Sequence, residues 1–342
     1  MAIDVHAHYV PPRVLRELER APGTYGVGVE RGRDGAARLL FPGQGYTRPI
    51  LKALLDLEQR AADLDQTGIR HQVLADWMDA VGYALPPETG ARWSRLYNES
   101  LAETVRDPAT GGRFSGLATV PLQDGKRAAE ELVHAVQALG LRGAQIGTNV
   151  LGRGLDEAGL DPLWQAAVEL RVPVVLHPWH VAGEERMHRH GMIRLVGYPA
   201  DTTLAAGGLI FGGVADRFPE LRVVLVHAGG FYPYQAGRLQ RAWTLAAGAK
   251  PATSALDALR WFHYDTVTHL PQALGYLVSL VGADRVVLGS DAPFDVGDPA
   301  PVATVTSAGL PAPATEAILE ANAGALFGIP AQRRVTRPPA GA

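Results

Sequence analysis

Pro173-Val174-Val175-Leu176-His177 and Arg222-Val223-Val224-Leu225-Val226-His227 are two runs of one design. Each is almost continuous in apolar, mostly β-branched residues and closes on a histidine. A strand covered on both faces reads this way, because neither set of alternating side chains meets water. Such strands belong to parallel sheets with helices packed against them. Working outward, Val286-Val287-Leu288-Gly289-Ser290-Asp291 repeats the plan with an aspartate at its end, and Ile3-Asp4-Val5-His6-Ala7-His8 opens the chain on it. Further β-rich runs at 72–77, 114–120, 143–146 and 262–266 bring the number to eight. The segments between them show helical spacing, as at 128–139 and Asp161–Leu170, and often end at Gly or Pro.

Eight β units alternating with helices predict a (β/α)₈ TIM barrel, a fold of about 250 residues plus insertions. A doubly wound open sheet is the alternative, since alternation alone does not separate the two. The barrel is preferred because polar residues sit at strand C-terminal ends from the first strand to the last. An open sheet would gather them at its switch point. On this reading residues 1–330 form a single domain. Residues 11 to about 50, rich in Gly and Pro and weakly periodic, are an insertion near the barrel mouth. Residues 331–342 lack apolar content and are expected to be a flexible tail.

Composition removes several classes of function. Of 342 residues, 47% are apolar and 20% charged, an ordinary globular balance with ample material for a core. There is no cysteine, which excludes disulfides, thiolate metal sites, iron–sulfur clusters and a cysteine nucleophile. A net charge of −3 offers no field for nucleic acid or anionic lipid. The first apolar run is interrupted by Asp4, His6 and His8, and no later segment approaches the roughly 18 apolar residues of a membrane span. A soluble, cytoplasmic protein is expected.

The strand ends carry the chemistry. Alternate residues of a strand share a face, so His6 and His8 point the same way and can grip one cation. A single histidine closing a strand is usually structural. Here His6 and His8, His177, His227 and Asp291 close strands one, five, six and eight, whose ends open on one mouth in a barrel. Neutral imidazoles and a carboxylate suit Zn²⁺ or another borderline divalent ion. His6, His8, His177 and Asp291 as ligands would leave a coordination position open, the mark of a catalytic site. His227 is then the natural general base, with a fifth-ligand role as its alternative.

These residues sit inside longer motifs: Asp4-Val5-His6-Ala7-His8, Gly143-Ala144-Gln145-Ile146-Gly147-Thr148, His177-Pro178-Trp179, and Leu195-Val196-Gly197-Tyr198-Pro199-Ala200-Asp201-Thr202-Thr203. Gly212-Gly213-Val214, His227-Ala228-Gly229-Gly230, Gly237-Arg238 and Leu288-Gly289-Ser290-Asp291-Ala292-Pro293-Phe294 complete the set. Through them the chain, from Ile3 to about Gly328, resembles the amidohydrolase superfamily and, within it, the aminocarboxymuconate-semialdehyde decarboxylase-like family. The resemblance implies Zn²⁺ on His6, His8, His177 and Asp291, with Mn²⁺ as the alternative, and an acid/base at His227. Two-metal members carry a carboxylated lysine on the fourth strand. That strand reads Gly143-Ala144-Gln145-Ile146 here, and Lys52, Lys126 and Lys250 lie far from it, so one ion per chain is implied.

Family arginines bind substrate carboxylates, as the guanidinium fork allows. Arg48 matches one by its distance from Asp65-Gln66-Thr67-Gly68. Arg238 matches another, which in the family reaches across a dimer interface, so a homodimer is implied. A further family arginine falls on Ala246 here, with Arg241 nearby, and a tryptophan-rich stretch is replaced around His190, Gly191 and Arg194. The expected function is metal-dependent, non-oxidative decarboxylation of a small aromatic or unsaturated carboxylic acid, with His227 managing the proton and Asp291 sharing that work. The alternative is a hydrolase or hydratase that uses water activated by the same cation.

Overall fold

The computed structural model describes residues 1–330; the tail expected at 331–342 lies outside the described residues. Every residue of β1 (Ala2–His8) is buried. There follow α1 (Pro12–Arg20), β2 (Gly28–Arg31), β3 (Ala37–Phe41), β4 (Gly45–Tyr46), α2 (Leu57–Thr67), β5 (Ile69–Ala75), α3 (Pro87–Arg106), β6 (Phe114–Gly116), α4 (Gly125–Gln137) and β7 (Ala144–Gly147). The second half holds α5 (Asp161–Leu170), β8 (Pro173–His177), α6 (Tyr198–Phe211), α7 (Val214–Arg217), β9 (Arg222–Leu225), α8 (Tyr232–Leu245), β10 (Phe262–Asp265), α9 (Pro271–Val281) and β11 (Val286–Val287), before short C-terminal helices.

All eight expected strands form, in two parallel sheets ordered β1-β5-β6 and β11-β10-β9-β8-β7. Backbone hydrogen bonds continue from one sheet to the other on both sides. Ala118 N–H donates to Gly143 O at 2.8 Å and Gln145 N–H to Ala118 O at 2.9 Å. At the other edge Val5 N–H reaches Leu288 O at 2.9 Å and Asp291 N–H reaches His6 O at 2.8 Å. The strands alternate as doubly covered strands should. Val174, Leu176, Val223 and Leu225 face the helices, while Val5, Val73, Val175, Val224 and Val287 form a separate inner cluster. Leu326, Phe327 and Ile329 from the C-terminal end pack into that inner cluster. Burying each such side chain is worth about 1.5–3 kcal/mol.

Caps set the helix limits. Asp56 accepts from Gln59 N–H at the start of α2, which Gly68 ends at φ +75°. Asp124 accepts from the N–H groups of Lys126 and Arg127 to open α4.

The stretch 11–50 is more regular than its composition suggested. It folds into α1 and a three-stranded antiparallel sheet, β2-β3-β4. Ala37, Leu39 and Phe41 alternate inward with Val14, Leu15 and Leu18 of α1, closing a small core against Trp77 and Trp93. The strands are short and one-sided, so their polar outer faces diluted the periodicity.

Candidate metal centre and active site

The ends of β1, β8 and β9, with the segment after β11, deliver five donor side chains to one point. Atoms of His6, His177, His227 and Asp291 all lie within 4.8 Å of one another. His8 joins them, with Nε2 3.2 Å from Asp291 Oδ1, and His6 Nε2 is 3.4 Å from the same oxygen. Donors sharing a cation at about 2.0–2.2 Å are themselves about 3–3.5 Å apart, so this spacing fits a common ion. His6 Nε2, His8 Nε2 and Asp291 Oδ1 are buried and have no hydrogen-bond partner among the described residues. Burial without a partner is costly, and a divalent cation is the group that would satisfy all three.

Hydrogen bonding separates the four histidines. His6 Nδ1–H donates to Asp265 Oδ2 at 2.6 Å, His8 Nδ1–H to Asp76 O at 2.8 Å, and His177 Nδ1–H to Pro178 O at 2.9 Å. Each of these bonds turns the Nε2 lone pair toward the shared point, the arrangement typical of metal-ligating imidazole. His227 differs. Its Nδ1 is buried without a partner, while its Nε2 stands 3.5 Å from Asp291 Oδ2.

Charge follows from position. Burial, reinforced by the neighbouring imidazoles, holds His177 well below its ordinary pKa, and burial lowers His8 as well. Burial opposes a charge on His6 too, but the carboxylates of Asp291 and Asp265 outweigh it and raise His6. Burial would raise Asp291; the imidazoles of His6, His227 and His8 overcome it and keep this carboxyl well below the usual range. The centre therefore sets an anionic oxygen, that of Asp291, beside imidazoles of His8 and His177 that favour the neutral form. The backbone is unusual at the same places, with φ of +53° at His227, +55° at Ala228 and +60° at Asp291. Non-glycine residues held there are rare and concentrate at working sites.

Access comes from two sides. A cavity of about 920 Å³, lined in part by Arg48, Trp77 and Trp179, ends near the donors without touching them. A small space of about 20 Å³ bounded by His8, His177 and Asp291 adjoins it. A second cavity of about 390 Å³ lies on the His227 side.

The sequence model of the family described as Amidohydrolase matches residues 3–329, nearly the whole chain. The chain belongs to the amidohydrolase family. It is 31% identical over 304 residues to 2-amino-3-carboxymuconate-6-semialdehyde decarboxylase of Dictyostelium discoideum, a match covering 88% of this chain and 84% of that one. It is 30% identical to gamma-resorcylate decarboxylase of a Polaromonas species, over 71% of this chain and 78% of the relative. The solved structure of 5-carboxyvanillate decarboxylase from Sphingomonas paucimobilis superposes with a TM-score of 0.80 at 25% identity, covering 96% of this chain and 99% of that one. An amidohydrolase of the aminocarboxymuconate-semialdehyde decarboxylase-like group is thus an enzyme, with the donor cluster at its strand ends.

Within this amidohydrolase the expected residues have unequal places. His6, His8, His177, His227 and Asp291 converge. Arg48 lines the cavity, with its Nε–H and an Nη2–H donated to the two oxygens of Asp79 at 2.9 Å, and it lies 5.5 Å from the Trp77 ring. Arg238 is exposed and lines none of these cavities. Sequence reasoning overlooked Asp265, which closes β10 as the donors close their strands. Its Oδ2 holds His6 while its Oδ1 accepts from Ala228 N–H at 2.7 Å, so one carboxylate braces both a donor histidine and the turn carrying His227. It also overlooked Asp4. That carboxylate takes the N–H groups of His6 and Ser290, at 3.0 and 3.1 Å, and ties β1 to the Asp291 segment.

Proposed function

We propose that this chain is a mononuclear, metal-dependent, non-oxidative decarboxylase of a small aromatic or unsaturated carboxylic acid. One observation carries the reading: His6, His8 and His177 each have Nδ1 committed to an acceptor and gather with Asp291 around one point, while His227, beside them, has no partner on its Nδ1. Decarboxylase relatives at 30–31% identity support the same reaction class. His6, His8, His177 and Asp291 would hold one divalent cation. An imidazole-rich set favours Zn²⁺, with Mn²⁺ the alternative that a metal screen decides. Gln145, on β7, donates to Asp76 O and Oδ1 at 2.9 and 2.8 Å, so it backs the carbonyl that holds His8 where a two-metal site would need a bridging carboxylated lysine, in keeping with a single ion.

When bound, the ion would supply Lewis-acid polarisation of a substrate oxygen next to the carboxylate that leaves. Breaking the carbon–carbon bond leaves an electron pair on the substrate carbon, and a proton must reach that carbon as CO₂ departs. His227 would deliver it, a role supported by Asp291 Oδ2 lying 3.5 Å from its Nε2, where a carboxylate would steady the proton-bearing ring before the transfer. Arg48 would bind substrate anion by releasing Asp79. Arg238 would serve the neighbouring site of a homodimer, a reading supported by exposed apolar neighbours such as Phe231 and Tyr234, the latter 75% exposed.

We read the two sheets as one closed (β/α)₈ barrel, a single domain over 1–330 with 11–50 as an insertion beside its mouth; the hydrogen bonds joining the sheets on both sides support this. No helix among the described residues is long and apolar enough to cross a membrane. A cytoplasmic enzyme is part of the same proposal.

The test is turnover of hydroxybenzoates, carboxymuconates and lactones by metal-loaded protein, with CO₂ detection and a carbon balance. Release of one CO₂ per substrate consumed is expected. Consumption with all carbon retained would instead establish the hydrolase or hydratase.

A further inference from the structure

A cavity of about 790 Å³ lies at the N-terminal ends of β9, β10 and β11, the far end of the strands from the donors. Four guanidinium groups from separate elements line it. Arg171 follows α5, Arg222 opens β9, and Arg260 and Arg285 directly precede the segments of β10 and β11. They gather on a chain whose net charge is −3, against the cost of bringing like charges together. Arginines scattered by composition alone would face bulk water separately; these share one concave wall.

The carboxylates beside them do not match this charge. Asp284 serves two of the four: its oxygens accept from Arg260 at 3.2 and 2.8 Å, and Arg285 Nε stands 3.4 Å from one of them. Asp257 is engaged by Ser254 Oγ at 2.7 Å, and Glu220, at the rim, forms no ion pair among the described residues. Arg222 spends one N–H on the Arg171 carbonyl at 3.1 Å, and the Arg171 side chain has no partner among the described residues. Two nitrogens at this cavity, Arg285 Nε and His263 Nδ1, are buried without a hydrogen-bond partner. Burial, and then the charges of Arg285 and Arg222, press the His263 pKa down to about 4, so the field of the arginines reaches that imidazole.

We propose that this cavity binds a phosphate-bearing small molecule, at a site separate from the metal centre. Arg171 and Arg222, which lack a carboxylate, take the phosphate oxygens by charge-assisted hydrogen bonds, for which the guanidinium fork is suited. A phosphate group offers three strong acceptor oxygens and up to two charges, which answers several converging guanidiniums better than a lone carboxylate does. The volume is that of an ordinary small-molecule site, and the Trp261 ring on its wall gives an apolar surface beside the charges. A ligand held by the folded chain alone stabilises it by mass action.

Thermal unfolding and calorimetric titration of metal-loaded protein with inorganic phosphate and with adenosine monophosphate test this, against sodium chloride at matched ionic strength. Both phosphates should raise the unfolding midpoint where chloride does not. Equal affinity for the two identifies the phosphate group alone as the ligand; tighter binding of the nucleotide adds its base and sugar. Arg171→Met and Arg222→Met should each weaken phosphate by about 10- to 100-fold, the scale of a hydrogen bond between charged groups. Arg48→Met, at the opposite end of the strands, should leave it within about twofold. Arg171 is exposed and its side chain bonds to nothing described, so its variant keeps the fold and decides the matter even where Arg222→Met unfolds. Three results would overturn the proposal: phosphate no better than chloride, binding that persists in Arg171→Met, or binding lost in Arg48→Met, which would place the anion at the metal centre.

Discussion

An imidazole can offer its Nε2 lone pair to a cation only if its proton sits on Nδ1, and that choice belongs to whatever Nδ1 touches. Asp265 makes the choice for His6 and, with its other oxygen, fixes Ala228 beside His227. Replacing it by Asn retains an acceptor for Ala228 but presents a donor to His6, which forces the wrong tautomer. Asp265→Asn should weaken cation binding by about 10- to 100-fold, read by competition with a chelator, while the metal-free protein keeps its thermal midpoint. Unchanged affinity would remove Asp265 from the account. The donors were legible in the sequence because each closes an apolar run. Asp265 closes one too, but its partner lies 259 positions away, and no local pattern distinguishes a brace from a strand cap. Likewise the alignment of motifs could locate Arg48 but not its capture by Asp79.

Elements were legible where burial is two-sided. The eight strands announced themselves through continuous apolar runs, although the last shrank to Val286–Val287, because beyond it the chain bonds sideways to His6 and to Ile318. The antiparallel sheet within 11–50 was hidden by its wet face, and the π-helical turn Ile193–Gly197 before α6 by having no sequence signature. Close packing of that turn yields a prediction. Gly230, at φ +62°, lies where a Cβ would come within 2.2 Å of Pro199 O, the second residue of α6. Gly230→Ala should cost roughly 2 kcal/mol or more in urea unfolding, from strain and overpacking together. Gly237→Ala, in α8 with nothing within 4 Å, should cost nothing and gain up to about 1 kcal/mol. Equal behaviour of the two variants would contradict the idea that the loop after β9 is wedged against α6.

At the scale of the molecule, two parallel sheets share one inner core, closed at one end by Leu326 and Phe327 and opening at the other on the donors. The stable end and the reactive end are thus separated along the strands, which lets strained residues such as His227 and Asp291 be held by the rest. The family and the reaction class were readable from sequence because strand ends repeat in type and order. The central claim is that four side chains hold one cation and His227 does not. Metal analysis of purified wild type and His227→Asn, run beside CO₂ release, tests it most directly. About one equivalent per chain in both is expected, with turnover of the variant lowered by about 10²- to 10⁴-fold, the usual worth of a general acid or base. An empty site in His227→Asn, or two equivalents in wild type, would contradict it.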